Sequence, residues 1–209
     1  MIESIGRRLR VAFSSDRTDV AAAATPDLPP EVDFVAYAED CVLSGRVRLA
    51  ADRLTDMLNA HEEYELVDVN VERLDGGPAS AVDVIVAARD EILLVHAAGP
   101  RGERERRTKT ITHRVTAQTG PYHVRGFLHT LPGADPLDAL RRRAPMVPLT
   151  EAWIDYVADG VRHEERVDVV VVNRERVDWV TSVAAAEAVA RDSAQTNPAS
   201  PMAGDGSGA

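Results

Sequence analysis

Val86-Ala87-Ala88-Arg89-Asp90-Glu91-Ile92-Leu93-Leu94-Val95 is answered 85 positions later by Val171-Val172-Asn173-Arg174-Glu175-Arg176-Val177-Asp178-Trp179-Val180. Each stretch reads as an apolar run, a charged corner and a second apolar run, the pattern of two short strands around a tight connection. Toward the N-terminus the correspondence continues with a shrinking offset. Asp75-Gly76 meets Asp159-Gly160 at 84, Tyr64–Val71 meets Val147–Ile154 at 83, Asp56-Met57-Leu58 meets Asp138-Ala139-Leu140 at 82, and Gly45 meets Gly126 at 81. A drift in one direction is what single-residue insertions in loops leave between two copies of one segment. The chain is therefore read as an internal repeat.

Period and punctuation give the elements of a copy. Phe34–Ala38 and Cys41–Leu49 alternate around Glu39-Asp40 as a hairpin. A short helix follows, capped by Asp52 and running to Asn59, with Leu54, Met57 and Leu58 on one face. Leu66, Val69 and Val71 lead to the Asp75-Gly76 turn, where glycine accepts a positive φ, and Val82–Ala88 and Ile92–Ala97 close a meander. The second copy repeats this with strands at Thr110–Ala117, Tyr122–Thr130, Val147–Val157, Arg166–Val172 and Arg176–Ser182 and a helix near Pro136–Arg143. The fold class is mainly β (α+β): two tandem β-β-α-β-β-β modules. Strands this short commonly curl into small SH3-like or Sm-like barrels, because closure removes unpaired edges. A merged ten-stranded sheet or a sandwich is the alternative.

The resulting organisation has five parts. Residues 1–30 hold a short amphipathic helix, with Ile2, Ile5, Leu9 and Ala12 on one face, and a disordered segment; 31–98 form the first module, 99–109 a basic linker, 110–183 the second module and 184–209 a disordered tail. A helix of some 12 residues is read as packing on protein rather than lying on a membrane. No apolar run approaches the roughly 20 residues of a membrane-spanning helix, and the polar run Ser14-Ser15-Asp16-Arg17 stands where a signal peptide would be apolar. The single cysteine, Cys41, has no thiol to pair with. Together these place the chain in the reducing cytoplasm.

Charge is uneven. The net charge is -10, yet residues 99–145 carry ten bases against four acids. Within that stretch Arg101, Arg104, Arg106, Arg107, Lys109, Arg141, Arg142 and Arg143 are the candidate anion-binding residues. Glu103 and Glu105 interleave with them and no aromatic stacking platform accompanies them, so nucleic acid ranks behind a protein partner.

No catalytic, cofactor or metal residues are assigned. His123 and His129 share a strand face but stand about 20 Å apart at roughly 3.3 Å per residue, too far to share an ion. A loop centred on Thr119-Gly120 would set His123 opposite Thr116. There is no Gly-x-Ser-x-Gly elbow, no Gly-x-x-x-x-Gly-Lys-Ser/Thr loop and no Gly-x-Gly-x-x-Gly after a strand. Arg89-Asp90 and Arg174-Glu175, just before the last strand of each copy, are read as structural, bridging neighbouring loops.

The span 31–183 carries Gly-x-Val/Leu, Leu-Thr-Asp-Met-Leu-Asn at 54–59 and Asn-Arg-Glu at 173–175. In these it resembles a bacterial family of unknown function with a tandem small β-rich domain. The resemblance implies a fold and transfers no catalytic residue. The expectation is a non-enzymatic protein-binding or scaffold protein that engages a partner or a second copy of itself. The alternative is a nucleic-acid or anionic-ligand binder using the arginine-rich linker, and an enzyme ranks third.

Overall fold

The computed structural model describes residues 29–97 and 109–182. The expected helix at 2–13, the expected disordered ends and Arg101, Arg104, Arg106 and Arg107 lie outside the described residues. The elements are β1 (Glu31–Tyr37), β2 (Cys41–Arg48), α1 (Leu54–Ala60), β3 (Glu63–Arg73), β4 (Ser80–Ala88), a 3-10 turn at Arg89–Glu91 and β5 (Leu94–Ala97). There follow β6 (Ile111–Thr119), β7 (Tyr122–Thr130), α2 (Pro136–Arg141), β8 (Met146–Ala158), β9 (Val161–Asn173), a 3-10 turn at Arg174–Arg176 and β10 (Trp179–Ser182). The order β-β-α-β-β-β thus occurs twice.

All ten strands join one sheet in the order β10-β6-β7-β8-β9-β5-β1-β2-β3-β4, every pair antiparallel. The sheet does not close, so the merged sheet forms rather than two separate barrels. The reason is local: β5 pairs with β1 on one side, and its other edge, which a closed barrel would give to β4, is taken by β9.

The pairing registers of the two halves agree under the offsets found in the sequence. Val35↔Ser44 corresponds to Thr116↔Arg125, Leu43↔Val71 to Val124↔Ile154, Leu66↔Ile85 to Leu149↔Val170, and Tyr37↔Leu94 to Gln118↔Trp179. Even the irregularities coincide. The register slips between Ser44 and Arg46 and between Arg125 and Phe127, opposite Asp68 and Glu151, both at positive φ. Gly45 and Gly126 sit at these bends. A Cβ on Gly45 would stand 2.9 Å from the Val67 carbonyl oxygen, and one on Gly126 3.2 Å from that of Thr150. The bulge bends the long strand and moves its inward face from Tyr64 and Leu66 to Val69 and Val71.

Three details differ from the sequence reading. Asp52 does not cap α1, whose N-cap is Arg53 without a side-chain bond, whereas Asp135 caps α2 by accepting from the Leu137 and Asp138 amides ahead of Pro136. His123 faces Gln118 rather than Thr116, because Gly120 at φ +52 allows a two-residue turn that pairs Thr119 with Tyr122. Strand β9 begins at Val161, five residues before the expected start, because Asp159 and Gly160, both at positive φ, form a tight turn that pairs Ala158 with Val161.

Buried side chains form two clusters, one per half, and each takes residues from the other half. The first gathers Phe34, Leu43, Leu58, Leu66, Ile85 and Val95 and includes Met146 and Val171. The second gathers Val124, Leu128, Leu149, Ile154 and Val170 and includes Tyr37, Val42, Leu93 and Leu94.

Candidate functional site

Of the candidate basic residues that are described, Lys109 and Arg142 are exposed. Arg141 is exposed and 3.5 Å from Asp138, while Arg143 turns inward and donates to the His129 carbonyl. Burial lowers the pKa of Arg143 from its usual value. Thr110 Oγ1 reaches His129 Nδ1 at 3.4 Å, which brings the end of the linker to the same end of the sheet as Arg143. Of the three consecutive arginines, Arg141 and Arg142 are exposed and Arg143 is turned to a structural bond.

The corner arginines are structural in both halves. Arg89 donates to His61 O at 3.1 Å and Arg174 to Arg143 O at 2.7 Å, equivalent carbonyls just after α1 and α2. Their backbone amides bind Glu62 O and Pro145 O in the same way. Each arginine ties a helix end to the corner before the last strand.

The densest side-chain chemistry lies on the seam between the halves. Leu94 and Val95 of β5 pair with Val172 and Val171 of β9. Asn173, buried, donates from Nδ2 to Arg89 O and Ile92 O, and its amide donates to Leu93 O. On the other side Asn59 exchanges two 2.9 Å bonds with the Met146 backbone, as a strand neighbour would. The asparagines of Leu-Thr-Asp-Met-Leu-Asn and of Asn-Arg-Glu are thus both seam residues.

Three of the four tyrosines also meet there. Rings of Tyr37, Tyr122 and Tyr156 pack at centroid distances of 5.3 to 5.9 Å, and His163 stacks on Tyr156. Tyr122 donates to Ala38 O at 2.8 Å. Tyr37, on β1, donates to Glu165 Oε2 on β9 at 2.6 Å, and its oxygen lies 3.2 Å from His96 Nδ1 on β5. With its own proton directed at Glu165, the phenol oxygen can bond His96 only as an acceptor, which requires a proton on Nδ1; His96 Nε2 lies 3.6 Å from Glu165 Oε1. Burial, then the Glu165 carboxylate, raise the Tyr37 pKa far above its ordinary value, so the phenol stays protonated. Burial lowers the His96 pKa and Glu165 opposes that shift. The group is a partly buried hydrogen-bond network across three strands.

No family model, curated protein or solved structure matches this chain.

Two open clefts flank the seam. One, about 410 Å³, lies between the β3–β4 loop and the β8–β9 hairpin and is lined by Arg73, Leu74, Tyr156, Asp159 and His163. The other, about 660 Å³, has Glu62, Glu63, Arg89, Asp90 and Arg176 on its walls. Neither is lined by a Ser, Thr, Cys or Lys side chain. Cys41 is buried, and desolvation and Asp40 push its thiol up to about 12, so it is a protonated thiol at neutral pH. Among the described residues no three His, Cys, Asp or Glu side chains converge to hold a metal ion, and no helix is long and apolar enough to cross a membrane.

Sequence reasoning missed the seam. Its signal was present as runs apolar on both strand faces, Ile92–Val95 and Val169–Val172, which mark strands covered on two sides.

Proposed function

We propose that this chain is a non-enzymatic protein-binding scaffold made of two copies of one β-β-α-β-β-β module fused edge to edge. One observation carries the reading: the seam joins two modules by strand pairing, reciprocal core packing and asparagine ties, while the outer strands β4 and β10 have no second strand partner among the described residues. A sheet edge binds another chain through its backbone ladder, and pockets for alternate side chains give selectivity. Exposed Trp153, Trp179, Val157 and Val161 add apolar contact area of the kind enriched at interfaces.

The test is retention of a protein partner by the immobilised full-length chain. Val84→Lys on β4, which places a charge on the open edge, abolishes retention while the circular dichroism spectrum and melting profile stay unchanged. Retention that survives this change, or that nuclease or added salt removes, rejects the edge as the binding surface.

A second reading, binding of nucleic acid or another polyanion, is favoured by the shared placement of the linker end and Arg143 about His129. It predicts a raised 260/280 absorbance ratio after nuclease-free purification at low salt, lost at high salt and in the combined Arg104→Ala, Arg106→Ala and Arg107→Ala variant.

A further inference from the structure

Building on the protein-binding reading, we propose that the partner is a second copy of this chain, joined head to tail through β10 of one copy and β4 of the next. The register is Trp179 opposite Ala87 and Val180 opposite Val86.

The internal seam supplies the template. Its pairs Leu94↔Val172 and Val95↔Val171 become, after shifting each β5 residue forward by 85 and each β9 residue back by 85, Trp179 with Ala87 and Val180 with Val86. At the internal seam each strand sends one side chain into the neighbouring half. Leu94 lies in the second core and Val171 in the first, exposed 0% and 1%. Their counterparts lack that cover: Trp179 is 45% exposed, and Val86 is only partly buried. Strand β4 carries the two-faced apolar run Val84-Ile85-Val86-Ala87 with Asp83 as its one charge, the composition of an internal strand placed at an edge.

The shapes and charges agree. Leu94 beside Val172 is replaced by Trp179 beside Ala87, a larger residue facing a smaller one at the same step. Ala87 already belongs to the first core, so Trp179 would cover that core where Leu94 covers the second. The polar group Tyr37, His96 and Glu165 is replaced by Gln118, Thr181 and Ser80, neutral side chains able to hydrogen-bond. The Asn59–Met146 tie is replaced by Arg141 facing Glu63, both exposed and of opposite sign. Asn173 becomes Ala88, which lacks the amide bonds, so the joint between copies is weaker than the internal one and depends on concentration.

The backbone points outward at the right positions. Asn173 N–H donates to Leu93 O, which makes Leu94–Val172 the non-bonded pair and Val95–Val171 the hydrogen-bonded pair of the antiparallel ladder. By the same alternation Val86 and Val180 direct their N–H groups to the open edges, and a proline at either removes that donor and sets its ring against the incoming strand while leaving the bonds to β3 and β6 intact. Because β4 and β10 are different surfaces, the contact is heterologous and builds a ring or a filament.

The experiment measures full-length chain by light scattering across a concentration series. The wild type rises from the monomer mass to at least twice that mass, whereas Val86→Pro and Val180→Pro each remain monomeric. Mixed one to one, the two variants form a heterodimer and nothing larger, because Val86→Pro retains a working β10 and Val180→Pro a working β4. Val86→Lys and Val180→Lys repeat the design if a proline variant fails to fold. In a Trp153→Phe background, Trp179 emission shifts to the blue over the same range. A wild type that stays monomeric at every concentration, with one of its own segments or nothing on the edge, overturns the proposal, and so does a Val180 variant that still dimerises while Val86 variants do not. If the chain is monomeric yet Val84→Lys still abolishes retention of another protein, this inference fails and the protein-binding reading stands.

Discussion

Removing one oxygen at the seam tests whether the two halves hold each other through polar contacts as well as apolar ones. Tyr37→Phe preserves the ring, its packing on Tyr122 and Tyr156 and its near-complete burial, and deletes only the hydroxyl. That hydroxyl donates to a carboxylate at 2.6 Å and is the acceptor for His96. A hydrogen bond to a charged group contributes about 1.5–3 kcal/mol net. Glu165 is 41% exposed and regains water when the phenol is lost, so the effect falls around or below the lower end of that range, about 1–2 kcal/mol. At this chain length that corresponds to a melting temperature lower by roughly 2–8 °C. The assay is urea unfolding at pH 8, where His96 is neutral, on the parent, Tyr37→Phe, Glu165→Gln and the double variant. The expected coupling in the cycle is about 1 kcal/mol. If Tyr37→Phe lies within about 0.3 kcal/mol of the parent, or the two changes are additive, the network contributes nothing and the seam rests on its apolar contacts.

Three further outcomes follow from the same geometry. The His96 pKa is lower folded than unfolded, so below about 6.5 the unfolded chain binds the extra proton; the stability contribution is present above that pH and is lost as pH falls from there through the lower folded pKa. His96→Asn flattens that limb of the stability-pH curve, and an unchanged curve excludes His96 as its origin. Gly45→Ala and Gly126→Ala each lower stability by about 1–3 kcal/mol in denaturant titration, with Gly45 the costlier because backbone oxygen stands closest to the new methyl. Asn173→Ala leaves the Arg89 and Ile92 carbonyls without that donor and costs about 2–3 kcal/mol by the same measurement, and hydrogen exchange should rise first at Leu93 to Val95.

Element order was legible because it depends on local signals. Alternation in Val47 and Leu49, the Asp159-Gly160 turn and the charged corners at Arg89 and Arg174 each act within a few residues, and the drifting offsets carried the reading of one half to the other. Hairpin registers were less legible, as His123 shows. Whether a turn closes on two residues or four depends on Gly120 adopting positive φ, which the residue type permits without requiring. The open sheet was harder still. Closure or merger depends on whether β4 or β9 pairs with the second edge of β5, and alternation specifies the face of a strand and not its neighbour. The Tyr37, His96 and Glu165 network comes from three strands distant in sequence, with no spacing to announce it. Asn59 and Asn173 were noticed as parts of a pattern, and their role became visible only once the strands they join were placed.

Because Leu94 and Val171 are each housed in the opposite half, neither half encloses its core by itself. Separate expression of residues 31–98 or 110–183 would expose a bare patch where the missing guest belongs, and such fragments should aggregate when apart and regain solubility on mixing. The boundary that looks most natural for cutting the polypeptide is therefore the place where it tolerates division least.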